Sequence, residues 1–283
     1  MKKRKKKRKK NKMVNKNLKY LEYFKIGFKK SIEYKSYLIG TLTTPIFMGV
    51  FFYFIWSYIY QVKGSGNPDF LIGGFTFSEM ILYLIIGLLI QTAKSTDISQ
   101  KISEIIKSGN IATFLCRPVN FVKSLLADGF GEKVIPFFMF SGLLIFMTKI
   151  LGLNFPDFSI IIVFVIYGIM LIFFQIILDV IIGGFAFWIT EIWGVQSSIS
   201  QILWILSGRA LPLSLFPQMF QSILAFTPFL YLEYTFASIY LGKIGLITAV
   251  KYMGIFAIWI VIFLFIMKLV YNRGFKKMES FGG

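Results

Sequence analysis

The sequence predicts an all-α integral membrane protein with six transmembrane helices and both termini in the cytosol. Hydrophobic residues make up 56% of its 283 residues and mean hydropathy is +0.70, far outside the range of soluble globular domains. Six apolar runs approach the roughly 20 residues that a helix needs to cross a hydrocarbon core. Lys and Arg gather on the loops that alternate spans leave on one side, the side that stays in the cytosol.

The chain opens on a polybasic run. Residues 1–35 hold 16 of the 31 Lys and Arg against only Glu22 and Glu33. Residues 1–17 carry almost no apolar side chain, so they are expected to be a disordered cytosolic tail. Attraction to anionic lipids, about 1 kcal/mol per basic residue near the surface, accounts for the charge. No soluble fold follows it, so no nucleic-acid partner is expected. No apolar core or small-residue cleavage site follows directly either, which sets it apart from a signal peptide. Over residues 18–36, Leu18, Leu21, Phe24, Phe28 and Ile32 recur at helical spacing among lysines, which predicts an interfacial helix on the inner leaflet.

The six-span domain covers residues 37–271. The first span is expected at Tyr37–Tyr60, with a kink at Pro45, and the second at Phe70–Ala93, with Glu79 near its outer end. The third is expected at Val134–Leu153, joined by the tight turn Asn154–Asp157 to the fourth at Phe158–Phe187. The fifth runs from Trp193 to Leu206 and the sixth from Tyr252 to Val270. The break between the fourth and fifth spans is weakly marked, by Glu191 and two glycine positions. With this topology only Lys63, Lys149, Arg209, Lys243 and Lys251 lie outside. Residues 272–283 form a cytosolic tail.

Between the second and third spans, Ile98, Ile102, Ile105 and Ile106 share one helical face, with Gln100, Lys101, Glu104 and Lys107 mostly opposite. Asp97 suits an N-cap and Gly109 a C′ position. The resulting helix of about three turns is too short to span a bilayer. Two readings stay open, a helix resting in lipid headgroups and a helix that engages a cytosolic partner.

Between the fifth and sixth spans, Pro212, Pro217 and Pro228 divide Ser207–Gly242 into short helices such as Gln218–Phe226 and Phe229–Ile239. Backbone of this kind at membrane depth needs protein or water cover. A pair of half-helices dipping into the outer leaflet satisfies that need, and an amphipathic outer loop is the alternative. Arg209 is a candidate partner for Glu233. Asp179, with Gln175 one turn earlier on the fourth span, suits either a polar pathway or the inner interface.

The absence of His removes His-based zinc sites, Ser-His catalysis and histidine phosphorelay. The single Cys116 excludes an internal disulfide. No lysine sits deep beside a serine in this topology, so a Ser-Lys intramembrane enzyme has no support. A P-loop is also missing, since Gly242-Lys243 is followed by Ile244 and the first glycine position is Ala237. A six-span secondary transporter or channel remains the alternative class, although no internal repeat accompanies it.

Ser207-Gly208, Pro212, Phe216-Pro217, Leu224 and Pro228-Phe229 resemble the signature near the fifth span of ABC-2 type transporter permeases. Gly109-Asn110-Ile111 followed by Leu115-Cys116-Arg117-Pro118 is similar to the connector of a bacterial six-span branch of that family. The ending Asn272 to Gly283 resembles that branch's basic, glycine-terminated tail, whereas the polybasic start departs from its pattern. The resemblance implies one half of a transmembrane pathway, paired with an identical or homologous half, in a bacterial cytoplasmic membrane. It implies no cofactor in this chain, with ATP and Mg on separate cytosolic ABC ATPase subunits. It places the coupling helix that docks on the ATPase at Asp97, Ile98, Lys101, Glu104, Ile105, Lys107 and Gly109. An exporter is the function it implies, and a surface rich in Phe, 33 residues in all, is compatible with an amphipathic or hydrophobic substrate.

Overall fold

The computed structural model describes residues 2–33, 35–65, 67, 69–93 and 96–279, with side chains from residue 18 onward except 35–46, 89, 91–93, 96–97, 115 and 279. Among the described residues the architecture is all-helical, and an isolated bridge between Ile72 and Phe75 is the sole extended pairing.

Helix α1 spans Lys2–Glu33. It takes in the polybasic run that composition predicted to be disordered, because Lys and Arg are good helix formers and neither Pro nor Gly interrupts the chain before Gly27. The expected apolar stripe is present, with Leu18, Leu21 and Ile32 exposed. The neighbouring face was not anticipated. Through Gly27 and Ser31 it packs on a later helix, so α1 is braced by protein as well as available to lipid.

Helix α2 (Lys35–Gly64) includes the first expected span and continues through Pro45. Phe47, Phe51, Phe54 and Tyr58 form an exposed stripe along it. Helix α3 (Phe77–Ala93) starts seven residues later than the expected second span. The reason is a capping box: the Thr76 N–H donates to Glu79 Oε2 at 2.8 Å, and the Glu79 N–H to Thr76 Oγ1 at 3.4 Å. Glu79 is therefore a helix-start residue that also pairs with Lys243 at 2.8 Å. Met80, Leu82, Tyr83, Leu84 and Ile86 are all buried, which makes α3 the central helix of the bundle.

Two short helices follow, α4 (Thr96–Lys107) and α5 (Ile111–Leu115). The third expected span is longer than its apolar run, because α6 covers Phe121–Ile150. Asn120 caps it by accepting from the Lys123 N–H at 3.0 Å, and no proline separates Phe121 from Val134. A turn with Gly152 at φ +68° leads to α7 (Phe158–Gly184), which tightens into a 3-10 turn at Phe185–Phe187. Helices α6 and α7 are antiparallel and closely packed, with Gly168 of α7 against the Phe137 ring of α6 and Gly129 of α6 facing Ile176 of α7.

Helix α8 (Trp193–Leu206) has the expected bounds, but its 14 residues give about 21 Å, short of a full crossing. Helix α9 (Gln218–Ala225) and the pair made by a 3-10 turn at Phe229–Tyr231 and α10 (Glu233–Tyr240) follow the expected proline punctuation. The two segments meet at 86°. The last helix, α11 (Leu246–Glu279), exceeds the sixth expected span at both ends and absorbs most of the expected tail. Its Tyr271 hydroxyl donates to the Val180 carbonyl of α7 at 3.0 Å.

Among the described residues, α6, α7 with its 3-10 extension, and α11 are each long and apolar enough to cross a membrane.

Candidate functional site

Helices α1, α4, α6 and α7 meet at one end of the bundle. On α4 the apolar stripe faces protein: Ile98 and Ile102 are buried against Gly129 of α6 and Gly183 of α7, and Ile105 is half-buried. Each buried isoleucine contributes about 1.5–3 kcal/mol. Gln100, Glu104 and Lys107 remain exposed. Gly109 has φ +70°, and its N–H donates to the Ile106 carbonyl at 3.2 Å, the left-handed C′ geometry that its position suggested. The helix begins at Thr96, so Asp97, the expected N-cap, lies inside its first turn, and its side chain is outside the described residues.

Asp128 organises this end. The Lys30 Nζ of α1 donates to both its carboxylate oxygens at 2.9 and 2.8 Å, and the Lys101 Nζ of α4 to Oδ2 at 2.8 Å. Lys30 also reaches Glu132 at 3.1 Å. One largely buried carboxylate thus joins three helices. Burial works against the charged Lys30 ammonium, but Asp128 and then Glu132 outweigh it and hold its pKa above the usual lysine value. Lys101, which the resemblance offered to a cytosolic protein, is thus also bonded within the chain. Lys107 lies 3.7 Å from the exposed Glu191.

Backbone geometry reinforces the junction. A Cβ on Gly27 would run into the Asp128 carbonyl, and one on Gly131 into the Phe24 carbonyl, so glycines on both helices permit the close approach. Pro136 has no N–H, which frees the Glu132 carbonyl one turn earlier from its helical bond. The Ser31 hydroxyl of α1 donates to that carbonyl at 2.6 Å. Proline on α6 supplies the acceptor on which α1 docks.

At the opposite end the residues of the family-like motif converge. Arg209 pairs with Glu233, and both are buried. The Tyr234 N–H donates to the Ser207 carbonyl at 2.9 Å, and the Tyr83 hydroxyl of α3 to the Gly208 carbonyl at 2.5 Å. Gly208 sits at φ +82° with Tyr83 and Tyr234 packed against it, which leaves no room for a side chain. Pro212, Pro217 and Pro228 act through their carbonyls, which accept from Leu215, Phe220 and Tyr231 at 3.0, 2.9 and 3.1 Å. They shape the short turns. Arg117 lies over the Phe114 ring at 4.4 Å, beside an exposed Pro118, and is not part of this cluster.

Gln175 and Asp179 lie on α7 between the two ends. Gln175 is buried at the edge of a crevice between α3, α6, α7 and α10, and among the described residues its Nε2 has no hydrogen-bond partner. Asp179 is half-buried one turn nearer the Asp128 junction.

No curated protein matches the chain. A family model described as ABC-2 family transporter protein matches residues 45–282, which takes in every element from α3 to α11 and most of α2. On that match, over a helical membrane-embedded architecture, the chain belongs to the ABC-2 family and is a membrane permease component of an ABC transporter.

Proposed function

We propose that this chain is one half of an exporter for an amphipathic or hydrophobic compound, working with a second permease half and two cytosolic ABC ATPase subunits. The half has six spans, with both termini and α4 in the cytosol of a bacterial cell and the α9–α10 hairpin dipping into the outer leaflet. ATP and Mg bind on the partner subunits. The polybasic start of α1 holds that helix to anionic headgroups.

The observation that carries this reading is the two-sided character of α4. Its isoleucines are bound to α6 and α7, while Gln100, Glu104 and Lys107 are left for a partner. A displacement imposed on that exposed face passes through Ile102 to Gly183 and through Lys101 to Asp128, hence to two long helices and to α1. Helix α8 is a candidate contact with the second half. Its Gly194, Ser198 and Gln201 are exposed on a membrane helix, where a polar face is costly against lipid.

The test is expression with the neighbouring genes and purification in mild detergent, with Gln100→Glu and Glu104→Lys introduced together on the exposed face of α4. Co-elution of a P-loop ATPase, lost or uncoupled in the variant, is the expected result. A chain that purifies without an ATPase, and a variant that behaves as the parent, would overturn the proposal that α4 couples this permease to cytosolic ATPase subunits.

A further inference from the structure

We propose that the cleft between the starts of α3 and α7 and the ends of α6 and α10 binds an amphipathic ammonium compound, with its charged head at Asp157 and its apolar body along Leu153, Phe155 and Ile160. The inference deepens the exporter reading by giving the compound a charge, and it rests on that reading for placing these helix ends at the outer face.

The cleft has a volume of about 340 Å³, within the range of roughly 300–1,000 Å³ for small-molecule sites. Leu82 of α3, Leu153 and Phe155 of the turn after α6, Ile160 of α7 and Tyr240 of α10 line it with apolar surface, and Glu79, Asn154 and Asp157 line it with polar groups. Tyr240 offers its ring alone. The Thr148 hydroxyl donates to the Leu144 carbonyl at 2.8 Å, so it accepts from the Tyr240 hydroxyl at 2.9 Å and commits that proton. Hydrogen-bonded turns fix both rims: the Leu153 N–H donates to the Thr148 carbonyl at 3.1 Å, and the Gly242 N–H to the Ile239 carbonyl at 3.1 Å. A lining that is part apolar and part charged calls for a ligand of the same character.

Charge selects the head. Glu79 Oε2 is taken by the Thr76 N–H and by Lys243, both at 2.8 Å. Asp157 stands at the N-cap of α7, yet its carboxylate makes no capping hydrogen bond and, among the described residues, no ion pair. With Lys243 matched to Glu79, one negative charge is left over in the lining, and a single cation balances it. An anion would be repelled by that carboxylate. A bare metal ion would find one open carboxylate where calcium takes about six to eight oxygens. An alkylated ammonium can in addition lie on the half-exposed Phe155 ring, which attracts cations through its face.

The experiment uses the full chain in non-ionic detergent without ATPase subunits, so that failure of coupling and failure of this site are read separately. Photoreactive (benzoylbenzyl)trimethylammonium is crosslinked and its adducts are mapped, with benzyltrimethylammonium and its neutral neopentyl isostere as competitors. Adducts on residues 153–160 and 240–242 are expected, displaced roughly fivefold better by the cation than by the isostere, the upper range for one exposed ion pair. That preference should shrink as ionic strength rises from about 0.01 M to about 1 M, where the screening length falls from about 30 to about 3 Å. Asp157→Asn should erase it without lowering thermal stability, because the carboxylate makes no capping bond and Asn serves equally well at an N-cap. Asn154→Trp, at an exposed position on the rim, should fill the cleft and abolish the adducts. Reconstitution then separates two sources of the same head. Adducts suppressed in phosphatidylethanolamine relative to phosphatidylglycerol bilayers identify a lipid headgroup, and equal adducts identify a free compound. Adducts no denser here than on the exposed face of α2, or a preference for the cation that survives Asp157→Asn, would overturn the proposal.

Discussion

Lys101 and Asp128 stand 27 residues apart and meet at 2.8 Å, and the same carboxylate also binds Lys30 from the other side. One of the charges on α4 that the resemblance offered to a partner thus also bonds inside the chain. The two sides of the Asp128 bridge are unequal in exposure, and that inequality ranks the substitutions.

Asp128→Asn removes the charge that both ammoniums share and leaves Lys30 with Glu132 alone. It should destabilise by about 1–3 kcal/mol, the range for charged hydrogen bonds lost at a buried acceptor. Lys101→Ala removes a side chain that is 44% exposed and should cost no more than about 1 kcal/mol. Thermal unfolding of the two variants gives the order, and equal losses would show that Asp128 is not the shared anchor. ATP hydrolysis in the assembled complex should fall with Asp128→Asn even where the ATPase still binds.

Ser31→Ala should leave the Glu132 carbonyl without a donor, a loss of about 1–3 kcal/mol for an unsatisfied buried acceptor. Adding Pro136→Ala restores an N–H in the helix to the same carbonyl. The double variant should therefore recover most of the stability that Ser31→Ala loses, and this is checked by a double-mutant cycle on thermal unfolding. Purely additive losses would show that the two residues act on different groups.

Arg209→Leu takes the cationic partner from the buried Glu233 carboxylate and should destabilise by about 3–5 kcal/mol. Arg209→Leu combined with Glu233→Leu removes both charges and should recover much of that loss. Limited proteolysis within residues 210–230 reports the local opening. Cleavage should rise in the single variant and fall again in the double one, and equal cleavage in both would deny the pairing its role in seating α10.

The pH dependence follows from Lys30. Its pKa is raised in the folded state, so on raising pH the unfolded chain gives up this proton first. The stabilisation it confers is fully present below the ordinary value of about 10.5 and is lost as pH climbs through the higher folded value. The difference in melting temperature between the parent and Lys30→Gln should be constant from pH 7 to about pH 10 and shrink above it. A difference that already closes by pH 9 would contradict the bridge.

Local patterns carried much of the fold. The spacing of Ile98, Ile102, Ile105 and Ile106 located α4 and its buried face, Gly109 located its end, and Pro217 and Pro228 bounded the short helices before α11. Thr76 and Glu79 show the capping-box spacing, yet the hydropathy of Phe70–Thr76 drew the expected second span through them. What stayed hidden depends on pairs far apart in sequence. Lys30 and Asp128 are 98 residues apart, and neither periodicity nor composition connects them. Gly27 sits in a basic helix where a small residue reads as a weak helix former, and its meaning appears only once α6 crosses it. Asp128 and Glu132 precede the expected third span, which was read from its apolar part alone. The Arg209–Glu233 pair could be named as a candidate from charge, but only the turn at Gly208 brings the two together.

The contact between Ser31 and the Glu132 carbonyl also sets a timetable for biosynthesis. The acceptor is 101 residues downstream of its donor, so at about 5–20 residues per second a ribosome needs roughly 5–20 seconds to deliver it after Ser31 has emerged. Throughout that interval α1 exists without its protein partner while the intervening helices are being made. Its lysines and exposed leucines suit it to wait at the bilayer surface, and the proline-freed carbonyl then offers a docking point only when α6 arrives. Closure of the α1 junction is thus a late event of synthesis, and it is the emergence of Pro136 that releases it.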